Sequence, residues 1–202
     1  MGTKQKVWKP KKPYLSLRAR SRRLELRPYR FSDFKAWRTG HLGRCEKKNR
    51  FDGDKPNPRT LTKARFRKVV LLHRQWAKKR DMFQFGIFER GSGRIVGMIG
   101  YNMISKSYSW ANLGYGIHNQ HWGKGFGPEA AKLCLEIGFR DLDIFRIEAS
   151  CEPGNEPSAK VALRAGLRPE GRRAKFPIRT GPVDLLVFAQ NQIDFRKRHG
   201  RE

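Results

Sequence analysis

The chain has 202 residues, the size of one domain with a full hydrophobic core, and it carries a formal charge of +27 from 45 basic and 18 acidic residues. Its three cysteines, Cys45, Cys134 and Cys151, are an odd number and lack metal-ligand spacing, which argues against a disulfide framework and a metal centre and favours the cytoplasm. No apolar run approaches the roughly 20 residues of a membrane-spanning helix, so no membrane span is predicted.

The two ends of the chain are strongly basic. Nine Lys or Arg residues and no acidic residue precede Glu25, in a segment with prolines and few apolar side chains. Such a composition predicts a basic N-terminal tail over residues 1–21, flexible up to about Leu15. We predict one domain over residues 22–192, followed by a basic C-terminal tail over residues 193–202.

The order of the predicted elements indicates an α/β (α+β) fold. The second helix carries an apolar stripe that predicts packing on a sheet, and His73 within that stripe is expected to be a residue of the core edge. The predicted elements, in chain order, are a strand Leu24–Arg27, helices over Asp33–Leu42 and Leu61–Arg80, an antiparallel meander of Met82–Glu89, Arg94–Ile104 and Ser109–Ile117, a helix from Pro128 to Ile137, a strand Ile144–Cys151, a helix Ser158–Ala165, and a hairpin of Arg168–Phe176 with Val183–Gln190.

The segment His121–Ala130 follows an apolar strand and opens an amphipathic helix. Gly123, Gly125 and Gly127 stand at every second position, which lets the backbone turn tightly and bring its N–H groups to a ligand. The helix start adds unpaired amides and the positive end of its dipole, so the segment is predicted to bind phosphate. The spacing fits neither a Walker loop nor a dinucleotide fingerprint. The simpler alternative is a tight strand-to-helix connection without a ligand.

Two motifs resemble those of the GCN5-related N-acetyltransferases. Their pyrophosphate loop reads Gln or Arg, two residues, Gly, one residue, Gly or Ala, and here Trp122, Gly125 and Gly127 occupy those positions. The Trp-Gly-Lys-Gly form is similar to the RimJ/RimL-like branch, which acetylates N-terminal alanines of ribosomal proteins. The second motif, an Asn, two residues, a Ser and a helix, is present as Asn155 and Ser158.

The resemblance covers about residues 22–192 and implies a fold and a cofactor. The implied fold is a mixed, mostly antiparallel sheet of six to seven strands with helices on both faces and a V-shaped splay between the fourth and fifth strands. In this family the splay holds the pantetheine arm of acetyl-CoA, and the glycine loop holds its pyrophosphate. The residues thereby implied to bind acetyl-CoA are Ile117, Trp122, Gly123, Lys124, Gly125, Phe126, Gly127, Asn155 and Ser158. Lys124 is equally well explained as a solvated loop lysine.

The reaction implied by the resemblance is direct acetyl transfer to an amine, without a covalent enzyme intermediate. A backbone N–H between Gly116 and His118 would polarise the thioester carbonyl. Ser158 would protonate the leaving thiolate, although Asn-x-x-Ser before a helix is also an ordinary capping arrangement. Tyr115 is an alternative acid or a packing residue, and Asn155 would position amide groups.

The expected general base is missing. RimL-like enzymes have a glutamate about nineteen residues after the motif serine, where this chain has Pro177. An α-amine with a pKa of about 7.7 to 8.0 needs far less help from a base than a lysine at about 10.4, so a protein N-terminus is the preferred acceptor. The candidate replacements are His118 and His121, or Glu148 and Glu152, each of which has a plain capping or ion-pairing role as its alternative.

The net charge exceeds what one cofactor requires. Beyond the tails, basic residues concentrate between Arg44 and Arg80, which favours binding of RNA or a ribosome through counterion release. A solvated basic face is the plain alternative, and an anionic membrane surface also fits the charge.

The predicted function is therefore that of a cytoplasmic acetyl-CoA-dependent N-acetyltransferase acting on a protein N-terminus, with a ribosomal protein as a candidate acceptor. Two alternatives stay open. One is a degenerate fold that binds coenzyme A or RNA without turnover, and the other is an acetyltransferase for small-molecule amines.

Overall fold

A computed structural model describes residues 8–178 and 180–198 of the chain. They form one eight-stranded sheet with the strand order β1-β2-β3-β4-β5-β6-β8-β7. The strands are β1 Ala19–Arg20, β2 Leu24–Arg27, β3 Met82–Glu89, β4 Ile95–Ser105, β5 Trp110–Ile117, β6 Arg146–Cys151, β7 Arg168–Ile178 and β8 Gly181–Asn191. The helices are α1 Phe34–Leu42, α2 Lys63–Lys79, α3 Phe126–Glu136, α4 Glu156–Ala165 and α5 Gln192–Arg198.

The sheet is antiparallel except where β5 meets β6. These two strands are parallel and pair only from Trp110 to Asn112, opposite Arg146 to Glu148, and then diverge. Counted from Leu24, they are the fourth and fifth strands, so the predicted splay is confirmed. The sheet exceeds the predicted six to seven strands because β1 was not anticipated; its two residues are too short for any periodicity to reveal.

Helices cover both faces of the sheet, as predicted. The smaller of two buried clusters joins α1 and α2 to the sheet and includes Trp37, Phe66 and Phe88. The larger one contains most of the apolar side chains of α3, together with Phe85 and Ile99. The helix α3 that follows the glycine loop therefore packs in the larger cluster, whereas α1 and most of α2 pack in the smaller one.

The α2 helix has clear start and stop signals. Thr62 Oγ1 accepts a hydrogen bond from the N–H of Arg65, and Arg80 ends the helix in the left-handed conformation with φ of 59°. His73 is buried between the rings of Tyr29 and Trp76, at centroid distances of 5.8 and 5.7 Å. It is thus a packing residue, as the apolar stripe predicted.

The N-terminal segment corrects one prediction. Residues 8–21 are packed on the domain and are not a flexible tail, and residues 1–7 lie outside the described part. Trp8 is 5% exposed, meets Phe83 edge to face, and donates from Nε1 to the carbonyl of Leu142 at 2.9 Å. Leu17 is also buried. Because the segment is strongly basic, its sequence does not indicate that Trp8 and Leu17 are buried. The residues that Trp8 contacts are also distant in the sequence.

The C-terminal segment corrects a second prediction. Residues 192–198 form α5, and Phe195 packs against Phe139 at a ring-centroid distance of 4.9 Å. The domain therefore continues past the predicted boundary at residue 192. Of the predicted basic tail, residues 199–202 lie outside the described part.

In the described ranges, no helix combines the length and apolarity needed to cross a membrane.

Replacing Trp8 tests whether the N-terminal segment belongs to the core. Trp8→Ala is expected to lower the free energy of unfolding by about 3 to 5 kcal/mol, because it empties a buried aromatic site. Leu15→Ala is the control: this side chain is 58% exposed, so a change within about 0.5 kcal/mol is expected. Urea unfolding of both variants makes the comparison, and equal small effects would contradict the packed segment.

Candidate active site

The glycine loop turns tightly at two glycines in the left-handed conformation. Gly123 and Gly125 have φ of 80° and 76°, and Gly125 is the N-cap residue directly before α3. Pro128 lies in the first turn, where its missing N–H costs no hydrogen bond. A side chain added at Gly123 would meet no atom within 4 Å, so its backbone is open to a ligand. The helix start then directs its unpaired amides to that space.

An arginine that sequence reasoning missed holds this loop in place. Arg23 donates to the carbonyl of Lys124 at 3.0 Å and to the carboxylate of Glu129 at 2.8 Å. Its guanidinium also lies 5.1 Å from the ring centre of Phe126. The three contacts connect the start of β2 to the turn about 100 residues away, and no local pattern in the sequence reveals such a contact. The side chain of Lys124 itself is exposed.

Trp122 fixes the other end of the loop. Its Nε1 donates to the carbonyl of Ile117 at 2.8 Å, which links the loop to the last residue of β5. The ammonium of Lys48 lies 5.6 Å from the centre of the indole ring. Trp122, at the first position of the loop motif, thus contacts β5 through its indole N–H and Lys48 through its ring.

The end of β5 leaves a backbone donor directed at the splay. The N–H of His118 donates to the carbonyl of Val96 at 2.9 Å, on the side of β4. Successive N–H groups of an extended strand point to opposite sides, so the N–H of Ile117 points to the gap. The sequence predicted a backbone donor among residues 116–118. Ile117 is therefore the residue of that range whose N–H can donate to a carbonyl in the gap.

A cavity of about 150 Å³ occupies the splay between β5 and β6. Tyr115, Cys151 and Ser158 are among its lining residues, and the hydroxyl of Tyr115 donates to Ser158 Oγ at 3.2 Å. Burial raises the pKa of Tyr115 and that of the Cys151 thiol, so both groups stay protonated at neutral pH. The cavity therefore holds a donor pair and no thiolate nucleophile.

Asn155 and Ser158 also act as helix-capping residues. Asn155 Oδ1 accepts from the N–H of Ser158 at 3.4 Å at the start of α4, and Gly166 ends the helix with φ of 104°. The capping interpretation of the second motif is thus correct. The capping bond uses the backbone N–H of Ser158, while its hydroxyl lies in the cavity and contacts Tyr115 and Cys151.

Comparison with known proteins agrees with this geometry. A family model of the acetyltransferase (GNAT) domain matches residues 23–168, which is more than half of the chain. The chain belongs to this family.

Its curated relatives match over part of their length. The chain is 38% identical over 107 residues to the uncharacterized N-acetyltransferase p20 of Bacillus licheniformis, covering 52% of this chain and 60% of the relative. It is 31% identical over 98 residues to the [ribosomal protein uS5]-alanine N-acetyltransferase of Escherichia coli, covering 48% and 50%. The chain thus spans about half to three fifths of the length of these relatives.

A solved structure shares the fold over nearly the whole GNAT domain. Mycobacterium smegmatis RimJ in complex with CoA-disulfide is 23% identical, with a TM-score of 0.65, and the match covers 88% of this chain and 90% of RimJ. At that identity the similarity establishes the architecture.

His118 does not lie where an acid or base of this GNAT domain would be needed. It is 7% exposed, is absent from the cavity lining, and its ring lies 4.8 Å from that of His41. Burial, with the nearby charges of His41 and Arg44, lowers its pKa to about 3. Burial likewise lowers the pKa of His121. A desolvated imidazole is a weak base, and the catalytic role of His118 stays a prediction.

The carboxylates near the cleft are engaged in ion pairs. Glu148 is 4% exposed and meets Arg146 at 2.8 Å and Arg173 at 2.7 Å. Glu152 pairs with Arg50 at 3.1 Å. Pro177 lies on β7, at the position for which the sequence resemblance implies a glutamate. Within the described residues, these pairs leave neither candidate carboxylate as an unpaired base.

A buried amide joins the loop after α1 to the loop before α3. Asn119 Oδ1 accepts from the N–H of Cys45 at 2.8 Å, and its Nδ2 donates to Asp52 at 2.8 Å. Arg44 pairs with the same carboxylate at 2.8 Å. Sequence reasoning missed this connection because each partner alone reads as an ordinary loop residue. No group of three or more metal-ligating side chains is present in residues 8–178 and 180–198.

The pH dependence of stability tests the state of His118. Its folded pKa of about 3 lies below the unfolded value of about 6.5, so the unfolded chain binds the extra proton and stability falls as pH drops below about 6.5. His118→Gln is expected to reduce that slope by about 1.4 kcal/mol per pH unit between pH 4.5 and 6. Urea unfolding at several pH values measures the slope, and an unchanged slope would show that His118 is solvated.

Proposed function

We propose that this GNAT domain transfers the acetyl group of acetyl-CoA to the α-amine of a protein N-terminus. The observation that carries the proposal is the adjacency of three features: the open glycine turn at the start of α3, the gap between β5 and β6, and the Tyr115–Ser158 pair inside that gap. Acetyl-CoA supplies the acetyl group as an activated thioester.

The residues present fit this group. The amides from Gly123 to Gly127 would hold its pyrophosphate, with Lys124 as an added positive charge. The unpaired backbone edge of β5 from Leu113 to Ile117 would bind its amide-containing arm, and the N–H of Ile117 would polarise the thioester carbonyl. Asn155 supports this arrangement by holding the start of α4 beside the cavity.

The acid is proposed to be Ser158, supported by Tyr115. The phenol of Tyr115 stays protonated and donates to Ser158 Oγ, and the Ser158 hydroxyl also hydrogen-bonds with the Cys151 thiol in the same cavity. Ser158 would donate its proton to the leaving thiolate and take up the proton that the acceptor amine releases, and Tyr115 would stabilise the serine oxygen during that transfer.

The acceptor is proposed to approach over the face of β5 opposite α3. Gly114 and Gly116 are exposed there, and a side chain added at either would meet no atom within 4 Å. Met98, the partner of Gly116 on β4, is 39% exposed. A strand without side chains beside an exposed methionine offers an open groove, which suits the end of a peptide.

The missing base supports an α-amine. Because both cleft glutamates are ion-paired and the histidines are desolvated, the protein offers little help in removing a proton. An α-amine with a pKa of about 8 is partly neutral without such help, whereas a lysine at about 10.4 would cost about 3 to 4 kcal/mol more.

A ribosomal protein is the proposed class of acceptor. One curated relative is a [ribosomal protein uS5]-alanine N-acetyltransferase, and the charge of +27 suits a substrate that lies on RNA. The same charge would repel a polyamine acceptor. Turnover with polyamines and not with peptides would favour the small-molecule alternative, and coenzyme A binding without any turnover would favour the degenerate one.

The loop assignment is tested with a glutamate at the glycine turn. Gly125→Glu is expected to weaken coenzyme A binding at least 100-fold in calorimetric titration, because it places a side chain and a negative charge beside the pyrophosphate position. Gly171→Glu is the matched control: it adds the same charge at another positive-φ glycine, on β7. Equal affinity of the two variants would reject the phosphate loop.

The acid assignment is tested on turnover with peptides that begin with alanine or serine. Ser158→Ala is expected to lower kcat about 10²-fold or more and Tyr115→Phe less, with coenzyme A affinity kept within a few fold. Tyr108→Phe, at an exposed tyrosine in the turn before β5, is the control and should leave kcat unchanged. Full activity of Ser158→Ala would remove the serine from the mechanism.

A further inference from the structure

The α2 helix carries an unusual concentration of positive charge. It has no acidic residue and contains seven cationic ones, Lys63, Arg65, Arg67, Lys68, Arg74, Lys78 and Lys79. Its buried positions, Phe66, Val70, His73 and Ala77, recur at helical spacing and face the core. The buried apolar packing of α2 is therefore on one side, and the cations lie outside that side together with the exposed Leu71 and Leu72.

These cations are uncompensated. Among the described residues, no carboxylate lies within ion-pairing distance of any Lys or Arg side chain of α2. Several arginines elsewhere are ion-paired; Arg27 with Asp33 and Arg146 with Glu148 are examples. Seven like charges on a helix about 25 Å long repel one another, which works against the folded state. The positive charge of α2 therefore does not serve to stabilise the fold.

Two of the arginines are held in a fixed arrangement. Arg67 and Arg74 are seven residues apart and lie on the same flank of α2, as does Lys78. Their guanidinium carbons lie 5.1 and 4.7 Å from the ring centre of Phe31. Guanidinium groups held against an aromatic ring keep their N–H edges available, and those edges match phosphate oxygens.

A wide cleft adjoins this flank. It has a volume of about 460 Å³, and four arginines line it: Arg18, Arg27, Arg30 and Arg74. Arg18 and Arg27 are ion-paired with acidic neighbours, whereas Arg30 and Arg74 have no carboxylate partner in the described part of the chain. The free cations of the cleft therefore extend the charged surface of α2 toward the edge strand.

We propose that this basic face, formed by Arg30, Arg67, Lys68, Arg74, Lys78 and Lys79, binds the phosphate backbone of RNA. The partner must supply several negative charges spaced along about 25 Å, which a polynucleotide backbone does and a single small anion does not. The inference goes beyond acetyl transfer, because the cavity of the cofactor gap and the cleft beside α2 share no lining residue.

A lipid surface fits the face less well than RNA. An interfacial helix inserts its apolar side between lipids, but the apolar side of α2 is already buried on the sheet. Leu71 and Leu72, which are 52% and 40% exposed, are the large apolar side chains it leaves at the surface. Charge without a free apolar stripe is the pattern of a nucleic-acid surface.

The test compares two variants that lose the same charge. Arg67→Gln, Lys68→Gln and Lys78→Gln are combined in the first, and all three residues are exposed. Binding of a fluorescently labelled 20-nucleotide single-stranded RNA is followed by anisotropy from 50 to 300 mM salt. Loss of three phosphate contacts is expected to weaken binding at least tenfold and to reduce the slope of log K against log salt by about 2.

The control combines Lys132→Gln, Arg164→Gln and Arg168→Gln, three exposed cations on α3, α4 and the start of β7. It should keep the slope of the unaltered protein, and thermal unfolding should show both variants folded. Equal loss of RNA binding in both would overturn the proposal, since net charge alone would then be responsible. Absence of RNA binding by the unaltered protein at 50 mM salt would also overturn it, as would binding to anionic phospholipid vesicles but not to RNA.

Discussion

The divergence of two neighbouring strands is the constraint on which the rest of the site depends. β5 and β6 pair over three residues and then separate, which leaves the backbone edge of β5 without a strand partner. Unpaired backbone groups in a domain interior are costly unless a ligand or water satisfies them. The splay is kept open from both sides: β4 pairs with β5 along its length, and β8 pairs with all of β6.

Much of the fold could be predicted because its signals are local. Alternation gave β2 and β3 with their observed bounds, and the spacing of glycines placed the loop at the start of α3. Trp8, Arg23 and Asn119 were missed for a common reason. Each acts through partners at least 67 residues away, and each stands in a segment whose local composition is that of an ordinary basic or polar connection.

Charge has two different roles in this molecule. Where a cation supports the fold it is matched, as Arg146 and Arg173 are by the buried carboxylate of Glu148. Such a pair must stay complete, because removing one partner would leave the other charge buried and uncompensated. The cations of α2 are exposed and have no such partners in the described residues. The ion-paired cations therefore stabilise the fold, whereas the cations of α2 are available to bind an external anion.

The site is asymmetric between its acid and base sides, and this asymmetry limits the chemistry. The acid side is assembled from a tyrosine and a serine in contact inside the cavity. On the base side, the nearby histidine is desolvated and the glutamates are neutralised by arginines. The thiolate that leaves coenzyme A must receive a proton from an acid. An amine that is already neutral needs no base before it attacks the thioester. In the proposed function, such a site selects acceptors by their own pKa, and the N-terminal amine would meet that condition at neutral pH.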